Sequence, residues 1–218
     1  MSRRIAVISD LEEDVKKKAG PGFELVESGN LTDFPMRHMA SYPYWDGEVN
    51  RAVNHCSLAS VTAVLLYYRR WGLTGIPAEG ADIFRAIYQD SRSNFFYHPW
   101  VGTPPFYIPW ILKRAFARYD YRIWARNQYF FKNGQAVFDR IQEDIDRDRP
   151  LILNFYSGAY RRHSVSCMGY RHLTRGQEHR YYALVADNWS DQVRYVDLTY
   201  LGSQSPNLFA MTRLALAR

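Results

Sequence analysis

NHCSLASVTAVLLYYRRWG, residues 54–72, decides how the chain is read. From Ser57 to Arg70 it holds no Gly or Pro, and apolar residues fall on nearly every side of a helical turn. A surface helix would keep one polar face, so this pattern predicts a buried, central helix. Trp71-Gly72 predicts its end, with Gly suited to the C-terminal cap. Cys56 stands at its start. There the unpaired N–H groups and the positive end of the helix dipole favour a thiolate over a thiol. A cysteine so placed is either a buried structural thiol or a nucleophile, and the rest of the chain has to supply a base for the second reading.

Outward from this helix, residues 81–89, 108–118 and 135–146 predict further helices. The last carries Val137, Ile141 and Ile145 at a spacing of four. Residues 91–109, rich in aromatics, Gly and Pro, predict a long structured loop whose rings are more often packing than ligand contacts. After Pro150 the pattern turns to short β-forming runs at 151–155, 163–170, 181–187, 192–198 and 207–216. Turn signals separate them at Gly158, Thr174-Arg175-Gly176 and Gly202-Ser203. Helices in front and antiparallel strands behind predict an α+β fold. Residues 1–45 are broken by Gly20-Pro21-Gly22, Pro35 and Pro43. They read as an N-terminal arm or lead-in with a short strand at Ile5 to Ser9, leaving 46–218 as the domain.

Two residues in the strand half bear on the base. His163 opens a strand, and alternation places His163, Val165, Cys167 and Gly169 on one face with Ser164, Ser166, Met168 and Tyr170 on the other. Asp187 closes the next strand. A carboxylate beside an imidazole fixes its tautomer and stabilises the imidazolium, and Trp189 would shield such a contact from water. Singly, each is more often structural: an edge histidine, or an Asp-Asn turn pair. Their order is more specific: Cys before an apolar helix, His heading a strand, Asp closing the following one.

On these motifs the chain resembles the papain-like cysteine peptidases, most of all the bacterial peptidase C39-like branch. Cys56-Ser57-Leu58-Ala59-Ser60 running to Tyr67-Tyr68, His163 running to Gly169-Tyr170, and Asp187-Asn188-Trp189 match its three motifs in order, over roughly residues 40–200. The resemblance implies a helical subdomain with a central nucleophile helix packed on an antiparallel β-sheet subdomain, with a cleft between them. It assigns Cys56 as nucleophile, His163 as base and Asp187 as orienting group. The backbone N–H of Cys56 with the side chain of Asn50 or Asn54 would bind the oxyanion. Asn50 stands where the family usually has Gln, and a lost oxyanion donor costs about a hundredfold or more in rate. His55 also departs from the pattern and is read as a spectator. The implied reaction is thiol-dependent acyl transfer without a cofactor, chiefly hydrolysis of peptide or isopeptide bonds in a peptide or protein substrate. The same triad order serves transglutaminase-like, acyltransferase and deamidase chemistry, and a non-catalytic binding module could use the same fold.

Composition narrows the alternatives. The 218 residues are 47% hydrophobic and 23% charged, as in ordinary globular proteins. The net charge is +6, but the basic residues are scattered (Lys16 to Lys18, Arg69-Arg70, Arg161-Arg162), which argues for a solvated surface and against nucleic acid. With only 2 Cys, a disulfide scaffold is not expected. No apolar stretch suits a signal peptide or a membrane span, so a cytoplasmic protein is the expectation, and signal-independent export would leave the same sequence. His163, Cys167, His172 and His179 lack zinc-site spacing, so no metal is expected.

Overall fold

A computed structural model of the chain describes residues 7–36, 54–129, 133–156, 160–199 and 208–217. The fold is α+β. The helices are α1 (Leu11–Ala19), α2 (Cys56–Arg70), α3 (Gly80–Ser93), α4 (Ile108–Ala117) and α5 (Gly134–Ile145). The strands are β1 (Glu24–Asn30), β2 (Ile123–Tyr129), β3 (Leu151–Phe155), β4 (His163–Arg175), β5 (Glu178–Ala186), β6 (Val193–Asp197) and β7 (Leu208–Leu216).

α2 is the expected central helix. Every residue from Cys56 to Tyr68 is buried, and only the final Arg69 and Arg70 reach outward, where their charge suits the negative end of the helix. Gly72 follows with φ of 108°, a left-handed conformation that glycine adopts without a side-chain clash. α3 and α4 pack beside α2, and α2 lies on β4 and β3. The sheet runs β2-β7-β3-β4-β5-β6, antiparallel throughout, with β1 added to β4 beyond the end of β3.

The expected elements from α2 to β7 are present with shifted ends. α3 continues to Ser93, and β4 continues to Arg175 because β1 and β5 pair with its second half. A bulge between Cys167 and Gly169 interrupts the simple alternation along β4. Three elements were not expected. β2 is a strand of mixed polarity paired with β7. The described part of the N-terminal segment carries the other two, α1 and β1, and of its expected early strand the described residues show a single bridge, Ile8 to Tyr195. Only Val15 of α1 is buried. Asp10 caps this helix by accepting a hydrogen bond from Glu13 N–H at 3.0 Å, with acids in its first turn and lysines in its last; cap and charge order hold it, not an apolar stripe. Among the described residues no helix is long and apolar enough to cross a membrane.

Candidate active site

α2 delivers Cys56 to the start of β4. The thiol is buried, and the backbone N–H of Ser164 donates to its Sγ at 3.4 Å. The neighbour of Ser164 in sequence, His163, faces the same sulfur. Burial by itself would push the Cys56 thiol up. The His163 ring, by charge and by hydrogen bond, together with the Ser164 N–H and the Ser57 hydroxyl, outweighs it and brings the thiol down to about 7. The reciprocal holds for the ring. Burial opposes its charge, but the Cys56 sulfur and then Asp187 hold the His163 pKa above its ordinary value. The second cysteine has no such partner. Burial pushes Cys167 up to about 12, and its Sγ lies 3.6 Å from the Gly169 carbonyl in the core.

Asp187 meets the imidazole, but not through the group expected from the sequence. His163 Nε2 is 2.6 Å from the backbone carbonyl oxygen of Asp187. A carbonyl only accepts, so Nε2 carries the hydrogen, and in the neutral ring Nδ1 is left as the basic nitrogen toward Cys56. The tautomer that the carboxylate was expected to fix is thus fixed by the main chain of the same residue. The carboxylate is turned the other way. Its Oδ1 accepts from the N–H groups of Trp189 and Ser190 at 3.0 and 3.3 Å, and its Oδ2 lies 3.9 Å from Arg194. Asn188, at φ of 62°, makes the reversal that points carbonyl and carboxylate in different directions.

Trp189 lies over the ring. Its indole stacks on His163 with centroids 4.2 Å apart, and Tyr160 stacks on the imidazole at 5.9 Å. The histidine is thereby fixed in plane as well as in tautomer.

The side-chain oxyanion donors fare differently. Asn50 lies outside the described residues. Asn54 is described, and its amide is engaged elsewhere: Nδ2 donates to the carbonyls of Pro99 and Trp100 at 3.1 and 3.3 Å. Its task is structural, for it moors the 98–102 turn against the entry to α2. Gly102 is required there, because a Cβ would come within 2.9 Å of the Asn54 carbonyl. The Cys56 N–H remains, as one of the first-turn donors that a helix leaves without an intrahelical partner. His55, the expected spectator, is buried with its ring edge-on to Phe84 at 5.3 Å.

The moored turn forms one wall of a cavity of about 340 Å³ beside Cys56 and His163, with Val101 and Pro104 on that wall and Phe155 and Tyr156 opposite. Its walls are mainly apolar. Ser57, Ser164 and Asn154 add a polar edge next to Cys56, and sequence reasoning missed them as part of the candidate site. The available signal was a lone Asn in the otherwise apolar LILNF and the regular serines of HSVSC. Among the described residues no group of three or more His, Cys, Asp or Glu is placed to hold a metal ion.

Comparison with known proteins gives a family and a distant structural likeness. The model of the Peptidase C39-like family matches residues 33–205, most of the chain and all three motifs. The Pseudomonas avirulence protein AvrPphB aligns over 83% of this chain and 100% of its own, at 8% identity and a TM-score of 0.36. That likeness is too distant to bear on the chemistry. No curated protein matches the chain.

Proposed function

Since the chain belongs to the Peptidase C39-like family, we propose that it is a cysteine peptidase that cleaves peptide or isopeptide bonds through Cys56, His163 and Asp187. The observation that carries this reading is the pairing at the head of α2: a buried thiol brought down to about 7 beside a histidine whose far nitrogen is held at 2.6 Å by Asp187. Thiolate and imidazolium then coexist near neutral pH, where a nucleophile and a proton donor are both needed.

The steps follow from that pair. The Cys56 thiolate attacks the substrate carbonyl carbon, and the oxygen becomes an oxyanion next to the N-terminus of α2, where the Cys56 N–H donates to it. Asn50 is the proposed second donor. The imidazolium gives its Nδ1 proton to the leaving nitrogen as the C–N bond breaks, leaving a thioester on Cys56. His163 then takes a proton from water, the resulting hydroxide adds to the thioester, and the acid leaves as the thiolate reforms. The Asp187 carbonyl stabilises the cationic ring in both halves, and Trp189 keeps water from that hydrogen bond. The cavity beside Cys56 would receive a substrate side chain.

The test is reaction with a peptide-based thiol-directed probe together with hydrolysis of a mixed peptide pool. Labelling of Cys56 near neutral pH and release of cleaved peptides, both lost in Cys56→Ala, are expected. A Cys56 that labels no faster than an unactivated thiol would leave a non-catalytic binding module on this fold.

A further inference from the structure

One side chain reaches every segment that meets at the site. Asn188 follows Asp187, whose carbonyl holds His163, and precedes Trp189, which stacks on the same ring. Its own amide turns inward. Nδ2 donates to Ser60 Oγ of α2 at 2.9 Å, and the carbonyl oxygens of Cys56 in α2 and of Ser164 in β4 accept from it at 3.5 Å each. Ser60 Oγ in turn donates to the Ser164 carbonyl at 3.4 Å. Asn188 and Ser60 are both fully buried.

The direction of the amide follows from these partners. Two of them are carbonyls, which only accept, so the NH₂ faces them. The Ser60 proton goes to a carbonyl as well, so Ser60 meets Asn188 with a lone pair. The Asn188 amide oxygen then points away and has no hydrogen-bond partner among the described residues, a costly state for a buried polar atom. A turn alone does not require it. At φ of 62° a glycine would make the same reversal with no side chain to bury. What asparagine adds is the NH₂ and its reach to the start of α2.

We propose that Asn188 is a positioning residue of the active site: its side-chain amide fastens the start of α2, which carries Cys56, to the turn that holds His163, and so sets the contact between nucleophile and base. The inference rests on Cys56 and His163 being that pair. The Ser164 N–H on the Cys56 sulfur and the Ser57–Ser164 hydroxyl contact tie α2 to β4; Asn188 ties it to the turn behind the ring as well. Such registration matters, because a misplacement of about 1 Å can cost about a hundredfold in catalysis. The other charged or titratable groups around the pair are Arg162 and Tyr160 at the head of β4, Asp187 after β5, Arg194 of β6, and His55 at the cap of α2, whose first turn holds no acid. Substituting Asn188 or Ser60 alters none of them.

The experiment is the pH profile of Cys56 alkylation by iodoacetamide, read at Cys56 by mass spectrometry. Asn188→Gly removes the amide and keeps the turn, which the Asp187 carboxylate still closes on the N–H groups of Trp189 and Ser190. The midpoint is expected to rise from about 7 by about one unit. Ser60→Ala removes the nearest acceptor and raises the midpoint in the same direction, so one variant suffices if the other fails to fold. The double variant rises no further than Asn188→Gly alone, because both substitutions break one link. In a His163→Ala background neither moves the midpoint, whereas a general loosening of the helix start would still do so. A midpoint that stays or falls in a folded single variant, a double variant that shows the sum of the two rises, or a rise that survives His163→Ala overturns the positioning role alone. A midpoint in the unsubstituted protein at the ordinary thiol value overturns the nucleophile reading itself, and the positioning role with it.

Discussion

Replacing His163 by Ala tests the thiolate–imidazole pair most directly. With the ring present the thiol sits at about 7, against an ordinary value of 9.0. The His163 ring supplies the two leading causes that act against burial, so without it the thiol returns at least to the ordinary value. That change corresponds to about 3 kcal/mol of lost preference for the thiolate. At pH 7 a thiol titrating there is half ionised, whereas one titrating at 9.0 is ionised to about one part in a hundred, a loss of about fiftyfold. The rate falls by less, because a more basic thiolate is a better nucleophile. A Brønsted slope of about 0.4–0.5 returns a factor of roughly eight over this interval. The net expectation for iodoacetamide at pH 7 is a drop of about sixfold, with the variant overtaking the unsubstituted protein above about pH 8. The crossing of the two profiles is more diagnostic than either rate. Cys167, buried and pushed up to about 12, does not confuse the reading when adducts are assigned by residue. A variant whose midpoint stays near 7 would refute the reasoning, since the helix N-terminus and the Ser164 N–H would then suffice to hold the thiolate.

Two further substitutions probe the supports of the site. Trp189→Ala removes the ring stacked at 4.2 Å on His163 and opens its hydrogen bond to water; alkylation of Cys56 at pH 7 is expected to slow by about tenfold, while Trp189→Phe retains most of the rate. Asn54→Ala strips the mooring from the Pro99 and Trp100 carbonyls and places a Cβ-bearing residue without a local hydrogen bond at φ of 74°. Urea denaturation should show a loss of about 2 kcal/mol, with Asn54→Gly recovering the backbone part only; an unchanged midpoint would mean that the 98–102 turn holds itself.

The helices α2 to α5 and the strands β3 to β7 were legible because each buries an apolar pattern of its own. α1, β1 and β2 were not, for a shared reason. LEEDVKKKA, ELVESGN and IWARNQY bury little, and the Asp10 cap, β4 and β7 respectively hold them in place. Elements stabilised by a partner leave weak traces in their own sequence. The same limit hid a buried polar row in which Ser164 Oγ donates to Asn154 Oδ1 at 2.6 Å and Asn154 Nδ2 donates to Thr212 Oγ1 at 3.3 Å. Each member reads as one tolerated polar residue in a buried strand, and only the register that sets Asn154 opposite Ser164 makes a chain of them.

Asp187 shows most clearly what a sequence holds back. Two readings of Asp187-Asn188 were open, a turn-forming pair and the orienter of the base, and they were set against each other. In the structure one conformation serves both. Asn188 at φ of 62° reverses the chain, and the Asp187 carboxylate closes that turn on the N–H groups of Trp189 and Ser190. With the carboxylate so committed, the carbonyl of the same residue is the oxygen that faces His163. The turn is therefore what holds the histidine. Asp187→Asn would keep an oxygen for the turn and leave the carbonyl in place, and on this geometry it is the mild substitution. Asp187→Ala, which releases the turn, is the severe one although no side-chain atom of Asp187 carries the hydrogen bond to the ring. Residue identity made Asp187 a candidate; the backbone angle of its neighbour decides which of its oxygens acts.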